Sequence, residues 1–203
     1  MGGQKNLYLF RYKGKNNAAL TADARAREEN RSGTAPKTLN LFLVDSEKRT
    51  ISLEQFTQGI LYADFIENMI KRNNPAEMNI LDVYADRVGE LLCIMHEKNS
   101  IHGNLSTRNV LLVEKVAANT QSSRKWLNHA NIDLVISDFG NSCANASPEA
   151  KGQDLFILEI SISELHINHP DLFGKIFESY KSHSRNNITE IVSKYEEIKM
   201  TLM

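Results

Sequence analysis

The chain has 203 residues, of which 41% are hydrophobic and 24% are charged, so it can bury the core of one domain or of two unequal lobes. Its 24 lysines and arginines nearly balance 25 aspartates and glutamates, which excludes a global basic field for binding nucleic acid. Its two cysteines make neither a disulfide framework nor a zinc site, and no apolar run reaches the length of a membrane span. We therefore predict a cytoplasmic or nuclear protein that has no membrane partner.

The first part of the chain is polar and predicts little regular structure. Residues 1–36 contain one candidate helix, at 21–31. Two runs rich in apolar and β-branched residues follow, at 39–45 and 49–56, and a turn-prone Ser-Glu-Lys separates them. This pattern predicts a β-hairpin that Gly59 closes.

Helical periodicity begins after this glycine. Residues 60–71 place their apolar side chains on one helical face, and residues 77–99 repeat such side chains every three or four positions over about five turns. The second segment is the strongest helix prediction in the chain. Its apolar face consists of Ile80, Leu81, Tyr84, Val88, Leu91, Leu92 and Met95.

The second half of the chain predicts another hairpin and then helices. Two apolar runs, 109–114 and 132–138, flank a polar stretch, which is typical of two strands joined by a long loop. The predicted helices that follow are 154–166, 169–183 with Pro170 in its first turn, and 188–203.

Two motifs lie among these elements, "HGNLSTRN" at 102–109 and "DFG" at 138–140. They match the protein-kinase signatures H-R-D-x-x-x-x-N and D-F-G at every position except two, because Gly103 replaces Arg and Asn104 replaces Asp. A long helix precedes the first motif and a hairpin lies between the two. This order of elements also resembles the C-terminal lobe of a protein kinase.

The resemblance to kinases implies roles for several polar side chains. Phosphoryl transfer depends on positioning and on charge neutralisation by Mg²⁺. Asp138 would supply a carboxylate oxygen to the metal and Asn109 an uncharged oxygen. Arg108 would approach the γ-phosphate of ATP, with a solvated loop cation as the alternative. We expect His102 to be a buried hydrogen-bonding strut.

Asn104 stands where a kinase keeps the aspartate that accepts the proton of the substrate hydroxyl. An amide cannot accept this proton at neutral pH, although its carbonyl oxygen can hold a hydroxyl group or a water molecule. The catalytic contribution of a general base, roughly 10²–10⁴-fold, would then be lost. Nucleotide binding need not be abolished.

From about residue 50 to residue 200 the chain resembles one family in particular, the small atypical PRPK-type (p53-related protein kinase) kinases of the KEOPS complex. Their loop reads H-G-D-L-T-T-S-N, with glycine at the position of Gly103. After D-F-G they pass through a short P-E-D-K-A-V-D-L-Y-V-L-E into the next helix, as residues 138–159 do here. The resemblance implies that Asp154 holds the loop through hydrogen bonds to its backbone. A second reading, compatible with the first, is that Asp154 is an acid at a helix N-terminus, where the helix dipole favours it.

The family resemblance implies an α+β, protein-kinase-like fold, with a reduced β-containing N-lobe and hinge at 1–58 and a mainly helical C-lobe at 59–203. Glu54 and Phe56 would line a slot for adenine. Lys13 is the nearest candidate for the strand lysine that holds the phosphates, with an ordinary surface lysine as the alternative.

The implied cofactors are ATP and Mg²⁺, and the implied setting is an assembly that makes threonylcarbamoyl-adenosine in tRNA. The chain would act there as an atypical serine/threonine kinase or ATPase, docked on the metalloprotein (threonylcarbamoyl transferase) subunit. Other KEOPS subunits would be further partners, and tRNA would be contacted indirectly. Two alternatives stay open, a pseudokinase adaptor that docks the same partners without phosphotransfer and an unrelated helical interaction protein.

Overall fold

The computed structural model describes residues 8–11, 41–45, 50–53, 59–115, 125–185 and 188–202. The predicted helix at 21–31 and the three candidate nucleotide-contacting residues Lys13, Glu54 and Phe56 lie outside these ranges. Helices dominate the described part, and its short strands form three small sheets. None of the helices in these ranges has the length and apolar character needed to span a membrane.

The first sheet contains strands β1 (Tyr8–Arg11), β2 (Leu41–Asp45) and β3 (Thr50–Leu53) in the antiparallel order β1-β3-β2. The predicted hairpin of β2 and β3 is confirmed, with Val44 opposite Ile51. Strand β1 comes from the polar segment for which no strand was predicted. Its four residues are too short for a periodicity that could be read from sequence.

The second sheet joins β4 (Gly59–Leu61) to the predicted second hairpin, β6 (Val110–Glu114) and β7 (Ile132–Ile136), in the antiparallel order β4-β6-β7. Two predictions were wrong here, because Gly59 begins a strand and Ile60 lies in that strand, outside the helix that follows. The register sets Ile60 opposite Leu112 of β6. Main-chain pairing with the hairpin outweighs the weak helical preference of these positions.

Helices α1 (Tyr62–Arg72) and α2 (Pro75–Glu97) follow β4 directly. Asn73 ends α1 in the left-handed conformation, with φ 45°, and the side chain of Asn74 caps α2. The predicted apolar face of α2 is confirmed, since each of its members is buried: Ile80, Leu81, Tyr84, Val88, Leu91, Leu92 and Met95.

Helix α3 (Pro148–Leu165) begins six residues before its predicted start at Asp154. The Ser147 side chain accepts a hydrogen bond from the Ala150 backbone N–H at 3.2 Å, and Pro148 occupies the first turn. This serine-proline start is a standard helix signal that lies outside the apolar run used for the prediction. Asp154 is therefore well inside the helix and not at its N-terminus.

Helices α4 (Leu172–His183) and α5 (Ile188–Leu202) complete the described chain. Because α4 begins at Leu172, Pro170 precedes its first turn, which corrects the prediction. Helix α2 makes its most extensive contacts with α4, and α3 makes its own with α5. All four of these helices contribute buried residues to the hydrophobic core.

Candidate functional site

The two motifs found in the sequence are brought together by a third, two-stranded sheet. Strand β5 (Ser100–Ile101) immediately precedes the loop at 102–109 and pairs with β8 (Cys143–Ala144), which closely follows the Asp-Phe-Gly segment at 138–140. The 102–109 segment then leads directly into β6, and the 138–140 segment follows β7. Both segments are thus connected at each end to paired strands.

Asp154 in α3 is the buried anchor of the 102–109 loop. Its two carboxylate oxygens accept hydrogen bonds from the backbone N–H groups of His102 and Gly103, each at 2.8 Å. The Oδ2 atom also lies 3.2 Å from Nε2 of His96, whose Nδ1 lies 2.9 Å from the Tyr180 hydroxyl. Residues of α2, α3 and α4 thereby hold one end of the loop.

The proton positions in this network follow from its chemistry. A carboxylate only accepts, so Nε2 of His96 donates to Asp154 and Nδ1 accepts from the Tyr180 hydroxyl. Burial lowers the pKa of His96 below its usual 6.5, and the hydrogen bond that His96 donates to Asp154 opposes this only in part. We therefore assign His96 as a neutral imidazole. Burial raises the pKa of Tyr180, so its hydroxyl remains a donor.

His102 connects the loop to the segment after β7. Its side chain is fully buried, and its Nε2 lies 2.8 Å from the carbonyl oxygen of Ser137. Because the carbonyl oxygen needs a hydrogen-bond donor, we assign the ring proton to Nε2. Nδ1 then accepts a hydrogen bond from the backbone N–H of Asn104 at 3.2 Å. The ring also contacts that of Phe139, with a distance of 4.9 Å between ring centroids. The imidazole bridges the two motifs.

The backbone conformation of Gly103 explains why glycine replaces the arginine of the kinase signature at this position. Its φ is +77°, and a Cβ atom placed on it would lie 2.4 Å from the carbonyl oxygen of Asn141. Any side chain would combine backbone strain with a backbone clash. The 102–109 loop and the Asp-Phe-Gly segment approach each other more closely here than an L-residue with a side chain permits.

Asn109 and Asp138 lie at the same end of the β6–β7 hairpin. The Asn109 carbonyl oxygen accepts a hydrogen bond from the Ser137 N–H at 2.9 Å. Asp138 therefore directly follows a residue that is hydrogen-bonded to Asn109. Asp138 is exposed and has φ 65°, the left-handed region that aspartate tolerates better than most residues. The Asn109 side chain donates from Nδ2 to the Asn104 carbonyl oxygen at 2.9 Å, which leaves its Oδ1 as an acceptor.

The oxygen atoms of Asp138 and Asn109 would suit a hard divalent cation only if water and a phosphate group supplied its other ligands. Among the described residues no group of three or more His, Cys, Asp or Glu side chains could hold a metal ion. A carboxylate oxygen of Asp138 and Oδ1 of Asn109 are oxygen donors of the kind that Mg²⁺ prefers, and Mg²⁺ takes its remaining ligands from water and phosphate. The protein alone therefore supplies part of such a site.

The other predicted site residues divide into two groups. Asn104 and Arg108 are exposed on the loop, and the Arg108 backbone N–H donates to the Ser106 hydroxyl at 3.2 Å. The three residues predicted to contact adenine and phosphate lie outside the described part of the chain. Sequence reasoning missed His96 and Tyr180, which support Asp154, because both sit on apolar helix faces where the periodicity indicates only core.

These features define the class of protein. The order of the elements and the two joined motifs are those of a protein-kinase-like α+β fold, as predicted. A solved structure titled "WaaP in complex with acyl carrier protein" is similar to this chain with a TM-score of 0.57 and 15% sequence identity. The similarity covers 97% of this chain and 80% of that one, and it supports the fold class alone.

The curated proteins that the chain resembles confirm the family resemblance read from the sequence. It is 27% identical over 160 residues to the EKC/KEOPS complex subunit Tp53rkb of Mus musculus, and 28% identical over 163 residues to the EKC/KEOPS complex subunit bud32 of Dictyostelium discoideum. The subunit BUD32 of Gibberella zeae is 26% identical over 164 residues. Each match covers 79% of this chain.

The chain is shorter than these relatives. The matches span 59%, 56% and 59% of the mouse, Dictyostelium and Gibberella proteins, which is less than two thirds of each. No family model matches the chain. The relatives are thus named as EKC/KEOPS complex subunits, and the chain matches a little more than half of the length of each.

Proposed function

We propose that this chain is a kinase-like subunit of a KEOPS-type complex that binds Mg²⁺–ATP and supports threonylcarbamoyl-adenosine modification of tRNA. The relatives support the complex, because each is named as one of its subunits. The fold supports a nucleotide ligand. The observation that carries the proposal is the end of the β6–β7 hairpin, where Asp138 directly follows the Ser137–Asn109 hydrogen bond.

Mg²⁺, when bound, would neutralise negative charge on the phosphates. Asp138 would hold it through a carboxylate oxygen and Asn109 through Oδ1, because the amide nitrogen of Asn109 is already used in the bond to Asn104. Asp154 holds the start of the 102–109 loop, and His102 connects this loop to Ser137, the residue before Asp138. The residues of the chain thus perform binding and positioning, which are the main protein contributions to phosphoryl transfer.

Asn104 limits what the site does with the nucleotide. Its exposed side chain can hold a hydroxyl group or a water molecule by hydrogen bonding, but it cannot take the proton that leaves during attack. We therefore propose that phosphate release or transfer is slow. Arg108, which directly precedes Asn109 and is exposed on the same loop, is proposed to approach the γ-phosphate.

Nucleotide binding is tested by thermal unfolding of the purified chain with and without Mg²⁺–ATP. We expect an increase in melting temperature with millimolar Mg²⁺–ATP that the Asp138→Ala variant loses. Asp86→Ala is the matched control, since it removes an exposed carboxylate from the middle of α2 and should keep the increase. If the unsubstituted protein shows no increase with millimolar Mg²⁺–ATP, nucleotide binding is excluded as its function.

The role of Asn104 is tested by restoring a carboxylate. Asn104→Asp should increase the rate of phosphate release from Mg²⁺–ATP, within the limit of roughly 10²–10⁴-fold that a general base contributes. Asn104→Ala, which removes the hydrogen-bonding side chain, should not increase it. An equal or lower rate in the aspartate variant would contradict the assignment of this position.

The second candidate function is a pseudokinase adaptor, which the amide at position 104 favours. We propose the same partners for it, namely the metalloprotein (threonylcarbamoyl transferase) subunit and other KEOPS subunits, with tRNA contacted through them. The two functions differ in what the partner complex requires. An adaptor should co-elute with the metalloprotein subunit in size-exclusion chromatography when Asp138 is alanine and no nucleotide is present, and the complex should then support tRNA modification.

A further inference from the structure

The 102–109 loop has a second group of contacts with α3 and its C-terminal end, far along that helix from Asp154. The Ser161 hydroxyl lies 2.9 Å from the Ser106 hydroxyl, and Nε2 of His166 lies 2.8 Å from Oγ1 of Thr107. His166 ends α3, and its backbone N–H donates to the Ile162 carbonyl oxygen at 2.8 Å. The imidazole is therefore attached to a helix end and aimed at the loop.

The contact between His166 and Thr107 is almost completely removed from solvent. The two residues are 2% and 1% exposed. Thr107 begins the 3₁₀ turn Thr107–Asn109, and it is the buried side chain of that turn. Arg108 is exposed and Asn109 is half-buried, so the two residues proposed to face the nucleotide are carried by a turn whose inner side chain rests on His166.

The second nitrogen of His166 faces another element. Its Nδ1 is buried without a hydrogen-bond partner and lies 3.6 Å from a carboxylate oxygen of Glu67 in α1. Since a carboxylate only accepts, we assign the proton to Nδ1, and Nε2 then accepts the Thr107 hydroxyl. This is the arrangement in which a carboxylate sets the tautomer of an imidazole and thereby the direction of its other hydrogen bond.

The surroundings of His166 favour this neutral form. Burial lowers the pKa of His166, and the nearby Glu67 carboxylate opposes that effect in part. His169 and Arg108 also lower this pKa. A neutral ring accepts at Nε2, whereas a protonated ring would present a donor at both nitrogens.

We propose that His166 is a positioning residue that sets the 3₁₀ turn carrying Arg108 and Asn109, by accepting the Thr107 hydroxyl while its other nitrogen faces Glu67 of α1. Other bonds hold the main chain and the outer residues of the turn, from the Asn109 N–H to the Ser106 carbonyl oxygen and from the Arg108 N–H to the Ser106 hydroxyl. The buried side chain of the turn, Thr107, is held by His166. The expected effect of His166 on nucleotide affinity rests on the proposed function. The expected effect of His166 on the conformation of the turn is independent of that function.

The first test measures the turn without a nucleotide, as the hydrogen-exchange rate of the Asn109 backbone amide by NMR in the full chain. A neutral hydrogen bond contributes enough to change a local equilibrium by about 2–10-fold, so His166→Ala and Thr107→Val should each raise the exchange rate by this factor. The double variant should exchange no faster than the faster single variant, because both substitutions remove one interaction.

Conservative variants separate positioning from simple packing. His166→Gln keeps a polar group at the position of Nε2, and Thr107→Ser keeps the hydroxyl, so both should restore slow exchange at Asn109. His169→Gln is the matched control in the neighbouring turn of chain, and it should leave the rate unchanged. The proposal is overturned if His166→Gln exchanges as fast as His166→Ala, if the effects of the two residues add, or if exchange rises equally in all helices.

The second test measures Mg²⁺–ATP affinity by calorimetry for the same variants. We expect His166→Ala to weaken binding by a factor similar to its effect on exchange, and His166→Gln to restore it. If exchange responds as expected while the unsubstituted chain binds no nucleotide, the proposed function fails and the positioning role stands. If nucleotide binds to every variant equally and exchange at Asn109 does not change, the positioning role fails and the proposed function stands.

Discussion

At the scale of single residues, the buried carboxylate of Asp154 has a large predicted influence on stability. It accepts hydrogen bonds from two backbone N–H groups and from His96. Asp154→Asn replaces one acceptor oxygen by an NH₂ group that would face a donor. Hydrogen bonds to charged groups contribute about 1.5–3 kcal/mol, so we expect the free energy of unfolding to fall by about 2–3 kcal/mol in urea titrations. Asp86→Asn, at an exposed position, should change it by less than about 0.5 kcal/mol.

His96 gives a second residue-scale prediction, which concerns pH. Because burial lowers its pKa below 6.5 in the folded state, the unfolded chain binds more protons in the window just below 6.5. The free energy of unfolding must therefore fall as pH decreases through that window. The pKa values of His166 and His169 are lowered as well, and they act in the same direction. Urea titrations at pH 7.5 and 5.5 should show this loss.

The variant His96→Gln isolates the contribution of His96 to that pH dependence. Glutamine can still donate to Asp154 but does not titrate, so the slope of stability against pH should be smaller by at most about 1.4 kcal/mol per pH unit. The groups that face His96 are Asp154, Tyr180 and, at longer range, Lys151. A slope equal to that of the unsubstituted protein would contradict the assignment of a neutral, buried imidazole.

At the scale of elements, two glycines in paired helices should respond oppositely to alanine. A Cβ atom at Gly89 of α2 would lie 2.4 Å from the Ile176 carbonyl oxygen and 2.6 Å from Cβ of Ser179 in α4. Overpacking of this kind costs about 1–3 kcal/mol, more than alanine gains in helix propensity. A Cβ atom at Gly174 would meet nothing within 4 Å. Gly174→Ala should therefore stabilise the protein by up to about 1 kcal/mol, as measured by the urea midpoint.

The same elements show what the sequence predicts and where it fails. Periodicity located α2 and both hairpins because long amphipathic helices and paired apolar runs leave a regular pattern. It placed Ile60 in a helix and missed β1, since a strand of three or four residues is determined by its pairing partner. The early start of α3 was missed because the apolar run begins at Asp154, six residues after Pro148.

The candidate site follows a similar division. The motifs gave the residues that are close along the chain, and the family resemblance gave Asp154. His166 was missed, although it contacts the same loop, because its contact with Thr107 joins positions 59 residues apart. A buried histidine on an apolar helix has no local pattern that distinguishes a positioning role from a place in the core. Only the packing of α3 against the loop makes this distinction.

For the whole molecule, we predict that the order of the 102–109 loop and the free energy of unfolding can be changed separately. Asp154 and Gly89 lie in different helix contacts, the first holding the 102–109 loop and the second joining α2 to α4. Asp154→Asn and Gly89→Ala should lose similar free energies of unfolding. Apparent ligand affinity falls in proportion to the fraction of molecules that hold the binding-competent conformation.

Mg²⁺–ATP titrations of these two variants test that separation, at a temperature where both are folded. Asp154→Asn should weaken binding several-fold without a direct contact to the ligand, because the freed loop leaves Asn109 correctly placed in fewer molecules. Gly89→Ala should bind within about twofold of the unsubstituted protein, because at equal stability loss its loop remains held by Asp154. Equal weakening of Mg²⁺–ATP binding in both variants would contradict this prediction. It would mean that the affinity depends on the free energy of unfolding of the whole chain and not on the anchoring of the loop by Asp154.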